Sequence, residues 1–508
     1  MYLTFDVGTT SVKTALFDRE GRPRAKSIRG YVLATPQADW VEADPEAYWA
    51  AVLSGFRETL QAAGVNPGEV RSICGSSQGE TIVFLDARER PVRPAIVWLD
   101  NRARAQVEEL KARLDPEEFY RHTGCTDIEP TWSLLKVLWV KAHEPESFAR
   151  TSKILLLEDY IVYRLTGRSC STPTLLHSSG FLDIQTRRYW DKTAGWAGVT
   201  GLLPEIVEVG SVAGRLKPEL ADELGLSRDT VVVKGAMDQT LSSIGAGNLA
   251  AGIVTETTGT AMAIGVTADS VEPILANHLP FQPHALSGKF LILPYAQTSA
   301  IIYKWFRDQF AQEEMRQAEN PERAYEALNA LAAGAPAGCD GLVLLPFFAG
   351  AYTPENDMYA RGVWYGLTLK HGRAHFARGI QEGVGFMLRR ILGLILEAGI
   401  PIREVRSMGG AARSDLWLQI KSDICDLPMV RMQEEETTGL GGALLAAVAV
   451  GDFPNLAEAA RGMVRLGRRF QPEARHRKVY DRQYALYGRL YRALKPVFRE
   501  FSSQAGGA

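Results

Sequence analysis

An acidic strand end that leads into a glycine-threonine turn is the feature that most constrains this chain. Residues 2–7 form an apolar run containing Asp6, Gly8 permits a tight turn, and Thr9 and Thr10 precede a second apolar run. Hydroxyls and backbone N–H groups in such a turn can donate to phosphate oxygens. A carboxylate such as Asp6 can hold hydrated Mg²⁺ beside them. The segment predicts a phosphate-binding hairpin, with an ordinary β-hairpin as the alternative.

A second segment repeats this pattern about 250 residues later. The stretch from Gly252 to Gly265 is rich in β-formers and bends around Thr257, Thr258, Gly259 and Thr260. The two hairpins resemble a degenerate internal repeat at the heads of two similar halves. We therefore expect them to face each other across an interdomain cleft and to bind a polyphosphate from both sides.

Length, composition and charge narrow the class of protein. A chain of 508 residues is too long for one hydrophobic core and predicts at least two domains. Its formal net charge of −2 lacks the basic footprint of a nucleic-acid-binding protein. No apolar run approaches the length of a membrane span, and the N-terminus does not resemble a signal peptide. We expect a cytoplasmic globular protein that binds neither nucleic acid nor membrane.

The cysteines give no sign of a disulfide framework or a metal site. They are odd in number and never occur in Cys-x-x-Cys spacing. The five positions are Cys74, Cys125, Cys170, Cys339 and Cys425. We predict that they are reduced residues of the core.

The order of predicted elements indicates a mixed α/β fold. Three meandering strands near 2–8, 13–18 and 25–33 precede a helix that Asp44 should cap, and the strand and helix pattern then alternates. The pattern restarts near residue 229. We place the domain boundary between residues 246 and 247, giving an N-terminal domain 1–246 and a C-terminal domain 247–508.

One helix of the second half has a clear buried face. Apolar residues recur at spacings of three and four between Phe376 and Ile391, while Gly379 and Gly383 permit close packing against a neighbour. This stripe is predicted to be core rather than a binding site.

The strongest catalytic candidate is Asp238, which follows the Val-rich strand at 230–234 together with Gln239. A carboxylate at a strand end can act as a general base, a role that typically contributes ~10²–10⁴ in rate. The alternative is that Asp238 only caps a helix that begins at Gln239. One residue can do both.

A glycine turn at 408–419 is the best candidate for binding a nucleoside. An apolar strand ends on Gly409 and Gly410 and meets the start of a new helix, where a purine or ribose could lie against bare backbone. A tight strand-to-helix connection is the alternative. The chain contains no Gly-x-x-x-x-Gly-Lys-[Ser/Thr] P-loop, so any nucleotide must be bound by a different structural motif.

Taken together, these segments resemble the FGGY family of carbohydrate kinases over nearly the whole chain. The resemblance rests on seven segments in the family's order. They are the Asp6-x-Gly-Thr-Thr hairpin, Trp40 to Pro45, Trp98 to Arg102, Asp238, Arg361 to Gly383, Met408 to Gln419, and Glu436 to Ala443.

The resemblance implies a pair of ribonuclease-H-like, actin-like ATPase domains that bind ATP and Mg²⁺ and phosphorylate a sugar or polyol. Asp238 would be the catalytic base and Asp6 the metal-binding residue. The substrate-binding residues would be Gln78, Glu80, Trp98, Asp100, Arg102 and Gln239, with Trp98 or Trp132 as an apolar wall. The cofactor-binding residues would be Thr9, Thr10, Lys13, Thr258, Gly259, Thr260, Gly409, Gly410, Ala411 and Ser414.

Departures from the family pattern bear on the substrate. Glycerol kinases carry an Arg-Glu pair where this chain has Gly79 and Glu80, and a tyrosine where Thr131 falls. Xylulose kinases carry Met-His there, which fits only in part. We predict a ketopentose as acceptor, with glycerol or another short polyol as the alternative. An actin-like switch without a small acceptor and a sugar-sensing regulator stay open as other classes, and a homodimer is compatible with the sequence.

Overall fold

The computed structural model describes residues 1–505, which form two compact units. Unit 1 comprises Met1–Leu249, Asp269–Leu291 and Glu436–Val464. Unit 2 comprises Ala250–Ala268, Ile292–Glu435 and the chain from Arg465 onward. Two segments that follow residue 246 therefore pack with unit 1, while the predicted domain boundary itself stays a prediction.

Twenty-four strands are present in the described chain. In chain order they are β1 Tyr2–Val7, β2 Ser11–Phe17, β3 Pro23–Gly30, β4 Glu42–Ala43, β5 Ser72–Ser77, β6 Ile82–Leu85, β7 Ala95–Ile96, β8 Lys153–Leu156, β9 Cys170–Ser171, β10 Leu182–Asp183, β11 Arg188–Tyr189, β12 Glu205–Ile206, β13 Val212–Arg215, β14 Val231–Met237, β15 Gly252–Thr258, β16 Met262–Ala268, β17 Phe281–Pro283, β18 Phe290–Ile292, β19 Tyr295–Ala296, β20 Val343–Leu345, β21 Val363–Tyr365, β22 Ile402–Met408, β23 Met429–Met432 and β24 Leu466–Phe470.

The α-helices of the described chain alternate with these strands. They are α1 Pro45–Ala63, α2 Arg104–Lys111, α3 Pro116–Thr123, α4 Ser133–His143, α5 Pro145–Arg150, α6 Leu157–Thr166, α7 Pro173–Leu176, α8 Asp191–Ala197, α9 Pro218–Leu224, α10 Asp238–Gly245, α11 Glu272–Ala276, α12 Ala300–Phe310, α13 Gln312–Gln317, α14 Pro321–Ala333, α15 Arg373–Glu397, α16 Asp415–Cys425, α17 Thr437–Ala449, α18 Leu456–Met463 and α19 Ala474–Ala505. Among residues 1–505, no helix is both long and apolar enough to cross a membrane.

The central sheet of unit 1 has the strand order β13-β14-β5-β1-β2-β3. The predicted meander is confirmed, because β1 pairs antiparallel with β2, and β2 with β3. Strands β1, β5 and β14 run parallel to one another. Helix α1 covers the meander, and the Asp44 carboxylate caps it by accepting a hydrogen bond from the Glu46 N–H at 3.0 Å.

Unit 2 contains a sheet of related design. Strands β15 and β16 form an antiparallel hairpin, β22 lies parallel to β15, and β23 continues the parallel part. Helix α15 buries the predicted stripe from Ile380 to Ile391, while Phe376 at its start is half-buried. Its two glycines allow the close approach, since a Cβ on Gly379 would lie 2.7 Å from the Trp364 ring and one on Gly383 3.0 Å from the Leu344 carbonyl oxygen.

All five cysteines are unpaired, as predicted, and four of them are buried. The exception is Cys425 at the end of α16, which is half-buried. Burial raises the pKa of Cys74 and Cys125 above the usual range for a thiol. These thiols therefore behave as apolar core groups rather than as reactive ones.

Candidate active site

Three parallel strands of unit 1 end at one edge of its sheet, and the candidate residues follow them. Val7 of β1 lies opposite Ser77 of β5, and Ser77 lies opposite Met237 of β14. The residues that come next are the hairpin turn Gly8–Thr10, the loop Gln78–Glu80 and Asp238. The carboxyl ends of parallel strands are where open α/β sheets bind ligands.

Asp6 lies beside the turn, near the end of β1. Its Oδ1 accepts a hydrogen bond from the Ser76 hydroxyl at 2.7 Å, and Lys13 is its cross-strand partner on β2. Burial raises the pKa of Asp6, whereas Ser76 and Lys13 oppose that shift. The Lys13 Nζ also lies 3.6 Å from the Glu436 carboxylate. The phosphate-side and metal-side candidates of unit 1 are thus neighbours.

The turn between β1 and β2 is held by hydrogen bonds on both flanks. The Gly8 N–H donates to the Ser11 carbonyl at 3.0 Å, and the Tyr31 hydroxyl donates to the Gly8 carbonyl. The Trp98 indole Nε1 donates to the Thr9 hydroxyl at 3.0 Å. Thr10 is exposed. Trp98, predicted on the acceptor side, therefore also orients a residue predicted to bind phosphate.

Asp238 is the first residue of α10 and is half-buried. Its Oδ1 accepts a hydrogen bond from the N–H of the exposed residue Gln239 at 2.7 Å, so the carboxylate bonds the first turn of the helix. Burial, together with the negative charges of Asp6 and Glu80, raises the pKa of Asp238 to about 7, while the Gln239 N–H and Lys13 oppose that rise. A carboxylate with this pKa can accept a proton near neutral pH.

The loop after β5 places Glu80 in a constrained conformation. Glu80 has a φ of 56°, a left-handed value that is costly for a residue with a side chain. Its carbonyl accepts hydrogen bonds from Lys136 Nζ at 3.1 Å and from the Ser133 hydroxyl at 3.3 Å. Burial raises the pKa of the Glu80 carboxyl, and Ser178 and Lys136 partly offset this. The negative charge of Glu80 contributes to the raised pKa of Asp238, so the two carboxyls lie close enough to interact.

Two neighbours of this loop complete its surroundings. Gln78 is buried, and its N–H donates to the Val7 carbonyl at 2.9 Å. Burial raises the pKa of the Tyr48 hydroxyl, and the neighbouring Gln78 carboxamide opposes that rise. A Cβ on Gly79 would lie 3.3 Å from the Met237 sulfur and 3.5 Å from the Ser178 hydroxyl. Gly79 is buried, and a side chain at this position would crowd Met237 and Ser178.

Asp100 and Arg102 have a different environment from the other predicted acceptor residues. Both side chains are fully buried, and Arg102 donates to Asp100 through Nε at 2.9 Å and Nη2 at 2.7 Å. Arg102 also contacts Glu42 at 2.8 Å and stacks over the Trp40 ring. Arg102 is therefore not a surface charge. The pair belongs to the segment that carries Trp98, and both side chains are covered by other protein atoms.

Trp132 lies at the beginning of α4. It is half-buried, packs against the neighbouring hydrophobic core, and donates from Nε1 to the Asp127 carbonyl at 3.0 Å. This geometry is that of a residue packed at the edge of the core. Lys136, four residues later, is the functional candidate that the sequence analysis missed. A lone lysine inside the apolar run 134–140 was the available signal.

The second hairpin, in unit 2, buries the side chain of Thr258. The Thr258 hydroxyl is buried, accepts a hydrogen bond from Lys421 Nζ at 2.7 Å and donates to Glu256. Lys421 also pairs with the Glu256 carboxylate at 2.8 Å. Gly259 is half-buried and Thr260 is exposed. The exposed part of this turn is therefore Gly259 and Thr260, while Thr258 anchors it.

The glycine turn after β22 lies next to this hairpin within unit 2. Met408 pairs with Thr257, and Gly409 follows with a φ of 77° and its Cα close to the Thr258 backbone. A Cβ on Gly410 would meet no atom within 4 Å. Bare backbone is thus exposed beside the hairpin, as a nucleoside site requires.

The residues after this turn begin a helix. Ala411 is buried in a short 3₁₀ turn, Gly410–Arg413. The Ser414 hydroxyl accepts a hydrogen bond from the Trp417 N–H at 3.2 Å and caps α16. Ser414 therefore serves the helix, and its predicted contact with a cofactor stays a prediction.

A metal ion in this site would be coordinated mainly by substrate phosphates and water rather than by protein side chains. Within residues 1–505, no group of three or more His, Cys, Asp or Glu side chains is arranged to hold a metal. Mg²⁺ commonly uses one or two carboxylates together with substrate phosphates and water. The carboxyls of Asp6 and Asp238 interact through their charges and fit that requirement.

Both halves of the chain match domains of the same protein family. The N-terminal domain of the FGGY family of carbohydrate kinases matches residues 1–245, and the family's C-terminal domain matches residues 251–450.

Individual proteins similar to this chain include kinases of different acceptors. It is 30% identical to a xylulose kinase of Bacillus subtilis over 97% of both chains, and 27% identical to a gluconokinase of Bacillus licheniformis over 99% of this chain and 97% of the other. The solved structure of a ligand-bound xylulose kinase from Lactobacillus acidophilus superposes with a TM-score of 0.88 at 27% identity, covering 99% of this chain and 100% of the other.

Proposed function

We propose that this chain, which belongs to the FGGY family of carbohydrate kinases, transfers a phosphoryl group from ATP to a primary hydroxyl of a ketopentose, with Asp238 as general base. The family and the class of enzyme predicted from the motifs are confirmed. The fold class is confirmed as well: the chain is mixed α/β and shares the two-domain, actin-like ATPase fold of FGGY kinases. The acceptor and the role of each residue are the proposal.

One observation carries the proposal for Asp238. The strand ends of β1, β5 and β14 bring its carboxyl near Asp6 and Glu80, and the pKa of Asp238 is raised to about 7. An unprotonated Asp238 would take the proton of the acceptor hydroxyl as that oxygen forms a bond to the γ-phosphorus. The bond from phosphorus to the bridging oxygen would break, releasing ADP, the sugar phosphate and a proton. Positioning supplies most of the acceleration in such transfers.

The acceptor pocket would be built from the loop after β5. Gln78 and Glu80 would bind hydroxyl groups, the Trp98 ring would provide an apolar wall, and Gln239 would bind beside the base. Asp100 and Arg102 would act beneath the pocket by holding the Trp98 segment in place. Gly79 stands where glycerol kinases carry a bulky arginine, and the loss of that side chain would leave room for an acceptor longer than glycerol.

We propose nucleotide-binding residues in unit 1 and, separately, in unit 2. FGGY kinases use ATP, usually with Mg²⁺. In unit 1, Thr9, Thr10 and Lys13 would contact phosphate oxygens, and Asp6 would hold Mg²⁺ through water. In unit 2, Gly259, Thr260, Gly409 and Gly410 would contact the nucleotide through exposed backbone and hydroxyl groups. Bound Mg²⁺ would neutralise phosphate charge during transfer.

The choice of a ketopentose rests on two kinds of support. The bulky arginine and the tyrosine that resemblance associates with glycerol are replaced by Gly79 and Thr131. A relative that is 30% identical over nearly its whole length is named a xylulose kinase. Another similar relative is named a gluconokinase, so an aldonate must be compared directly.

The test is ADP release from Mg·ATP against ketopentoses, hexuloses, aldonates, glycerol and other polyols. We expect turnover to be fastest with a ketopentose, and Asp238→Asn to lower kcat by ~10²–10⁴. Asp191→Asn is the matched control, since Asp191 is also the first residue of a helix in unit 1 but is exposed. Turnover only with glycerol or an aldonate would reassign the acceptor. ATP hydrolysis that needs no acceptor and ignores Asp238 would refute the mechanism.

A further inference from the structure

A fully buried charge cluster lies in unit 1 beneath the strand ends. Lys234 of β14 contacts Glu158 and Asp159, the second and third residues of α6, and none of the three side chains is exposed. The Lys234 Nζ donates to Asp159 Oδ1 at 2.6 Å and to Glu158 Oε2. Burial raises the pKa of Glu158 to about 7, against the opposing charge of Lys234.

The cluster coincides with an irregularity in β14. The pairing of β14 with β5 shifts register between Val233 and Ala236, the stretch that contains Lys234 and Gly235. The Gly235 N–H leaves the ladder and donates to Glu158 Oε1 at 3.1 Å. Bulges redirect the residues that follow them. Here those residues are Ala236, Met237 and Asp238.

The space at this irregularity is very small. A Cβ on Gly235 would lie 1.7 Å from the Gly75 carbonyl oxygen of β5, so the two strands approach backbone to backbone. The Thr172 hydroxyl donates to the Gly235 carbonyl at 3.4 Å. The path of β14 between Lys234 and Asp238 is therefore fixed from several sides.

The same cluster is joined to the loop that carries Gln78 and Glu80. The backbone N–H of Glu158 donates to the Ser77 hydroxyl at 3.1 Å, and Ser77 is the last residue of β5. One group of side chains thus contacts the strand that leads to Asp238 and the strand that leads to the acceptor loop.

Stability alone does not account for such a cluster. Burying three charged groups is costly, and a buried ion pair can often be replaced by apolar residues of similar volume without loss of stability. A better explanation is that the cluster holds the neighbouring backbone in one geometry. Reacting groups must be placed to within a fraction of an ångström, so such a constraint serves catalysis.

We propose that Lys234, Glu158 and Asp159 are positioning residues that set the spacing between Asp238 and the acceptor loop Gln78–Glu80. The inference rests on the proposed function, because it assigns these three residues to the placement of the base. They touch neither acceptor nor nucleotide. Their effect passes through the backbone of β14 and through Ser77.

The test compares Lys234→Met, which removes the ammonium and keeps most of the volume, with the milder Glu158→Gln. We expect Lys234→Met to lower kcat/KM for the acceptor by on the order of 10²-fold, as for a small misplacement of reacting groups. Glu158→Gln should lower it by about tenfold by the same reasoning. The KM for ATP should change much less in both, and the pH profile of kcat/KM should shift.

Arg378→Met is the control, because it breaks a buried ion pair with Glu382 that belongs to unit 2. It should lower the melting temperature without shifting the pH profile. If Lys234→Met does not fold, Glu158→Gln alone decides. A folded variant with acceptor kcat/KM within about twofold of wild type and an unchanged profile would overturn the proposal, since even a small misplacement costs far more.

A second readout does not depend on turnover. The pKa of Asp238 can be followed by NMR of ¹³C-labelled aspartate carboxyls, assigned with Asp238→Asn. Asp6, Glu80 and Lys13 are the charged groups that set this pKa, so a displaced Asp238 should titrate away from about 7. An unchanged Asp238 titration in Glu158→Gln and Lys234→Met would refute positioning, even if the wild-type protein proved to have no acceptor-dependent activity and the proposed function itself failed.

Discussion

At the scale of a single residue, the raised pKa of Asp238 is the structural property on which the proposed mechanism depends. An aspartate with an ordinary pKa of ~3.9 is a weak base that is unprotonated at every physiological pH. Burial and the negative charges of Asp6 and Glu80 raise the pKa of Asp238 to about 7, so the group is a better base and titrates near neutrality. The residues that raise this pKa are the ones predicted to hold metal and acceptor.

The first prediction concerns the pH dependence of kcat/KM. The base must be unprotonated, and its raised pKa means that protonation removes activity as the pH falls below about 7. We expect kcat/KM for the acceptor to fall about tenfold for each pH unit below that value and to level off above it. Initial rates between pH 5 and 9 at saturating Mg·ATP would measure this.

The charges around Asp238 provide a check on that profile. Lys13 lowers the pKa of Asp238, so Lys13→Met should move the inflection to higher pH. A profile that stays flat from pH 5 to 9 in the wild-type protein would exclude Asp238 as the titrating base.

Some residues of this site could be predicted from the sequence, whereas the roles of others depend on contacts that the sequence does not show. Asp238 and the Asp6 hairpin lie at strand ends, which hydrophobic patterning locates. Asp100 and Arg102 looked like pocket residues, but only the structure reveals that they bond each other in the core. Lys136 and Lys234 lie within apolar runs, and sequence does not show which carboxyl or carbonyl they reach.

At the scale of elements, helix α10, which begins with Asp238, is held in position by close packing against α17. The two helices pack through glycines in unit 1. A Cβ on Gly245 would lie 1.8 Å from the Thr437 carbonyl oxygen, and one on Gly441 would lie 2.0 Å from the Leu241 carbonyl oxygen. Helix α17 also packs against β1 and β5. The helices approach backbone to backbone because side chains are missing there.

The second prediction tests this contact with Gly441→Ala. A methyl group forced against backbone costs about 1–3 kcal/mol, which should exceed the gain of up to ~1 kcal/mol in helix propensity. We expect a net loss of about 1–2 kcal/mol in the free energy of unfolding. Urea denaturation followed by circular dichroism would measure it.

Gly393→Ala is the matched control, because Gly393 lies inside α15 and a Cβ there meets no atom within 4 Å. It should be neutral or stabilise the protein by up to ~1 kcal/mol. Equal effects of the two substitutions would show that the α10–α17 contact relaxes without strain.

Most elements near the site were predictable, because strands β1, β2 and β14 and helix α15 have strong periodicity. The partner of α10 was not. The segment 437–449 reads as a glycine- and alanine-rich helix, but nothing in its sequence indicates which sheet it covers. Contacts between residues 200 positions apart depend on tertiary packing rather than on local pattern.

At the scale of the molecule, neither unit is a single stretch of chain. Unit 1 takes Asp269–Leu291 and Glu436–Val464 from beyond the predicted boundary at residue 246. Part of its core is made by α17, whose Leu440 and Leu444 are fully buried in a cluster with Cys74 and Val233. The sequence repeat located two similar halves, but it could not assign a later helix to the earlier unit.

The third prediction follows from this discontinuity. A fragment of residues 1–249 lacks α17, so it should expose the apolar surface around Cys74, Val233 and Leu241 to water. We expect it to aggregate or to bind a hydrophobic dye, and to unfold without a cooperative transition. Joining residues 436–464 to the fragment through a flexible Gly/Ser linker should return the missing helix and reduce dye binding. A monomeric, cooperatively unfolding fragment 1–249 would instead mean that the N-terminal stretch forms a complete core by itself, and that α17 only covers it.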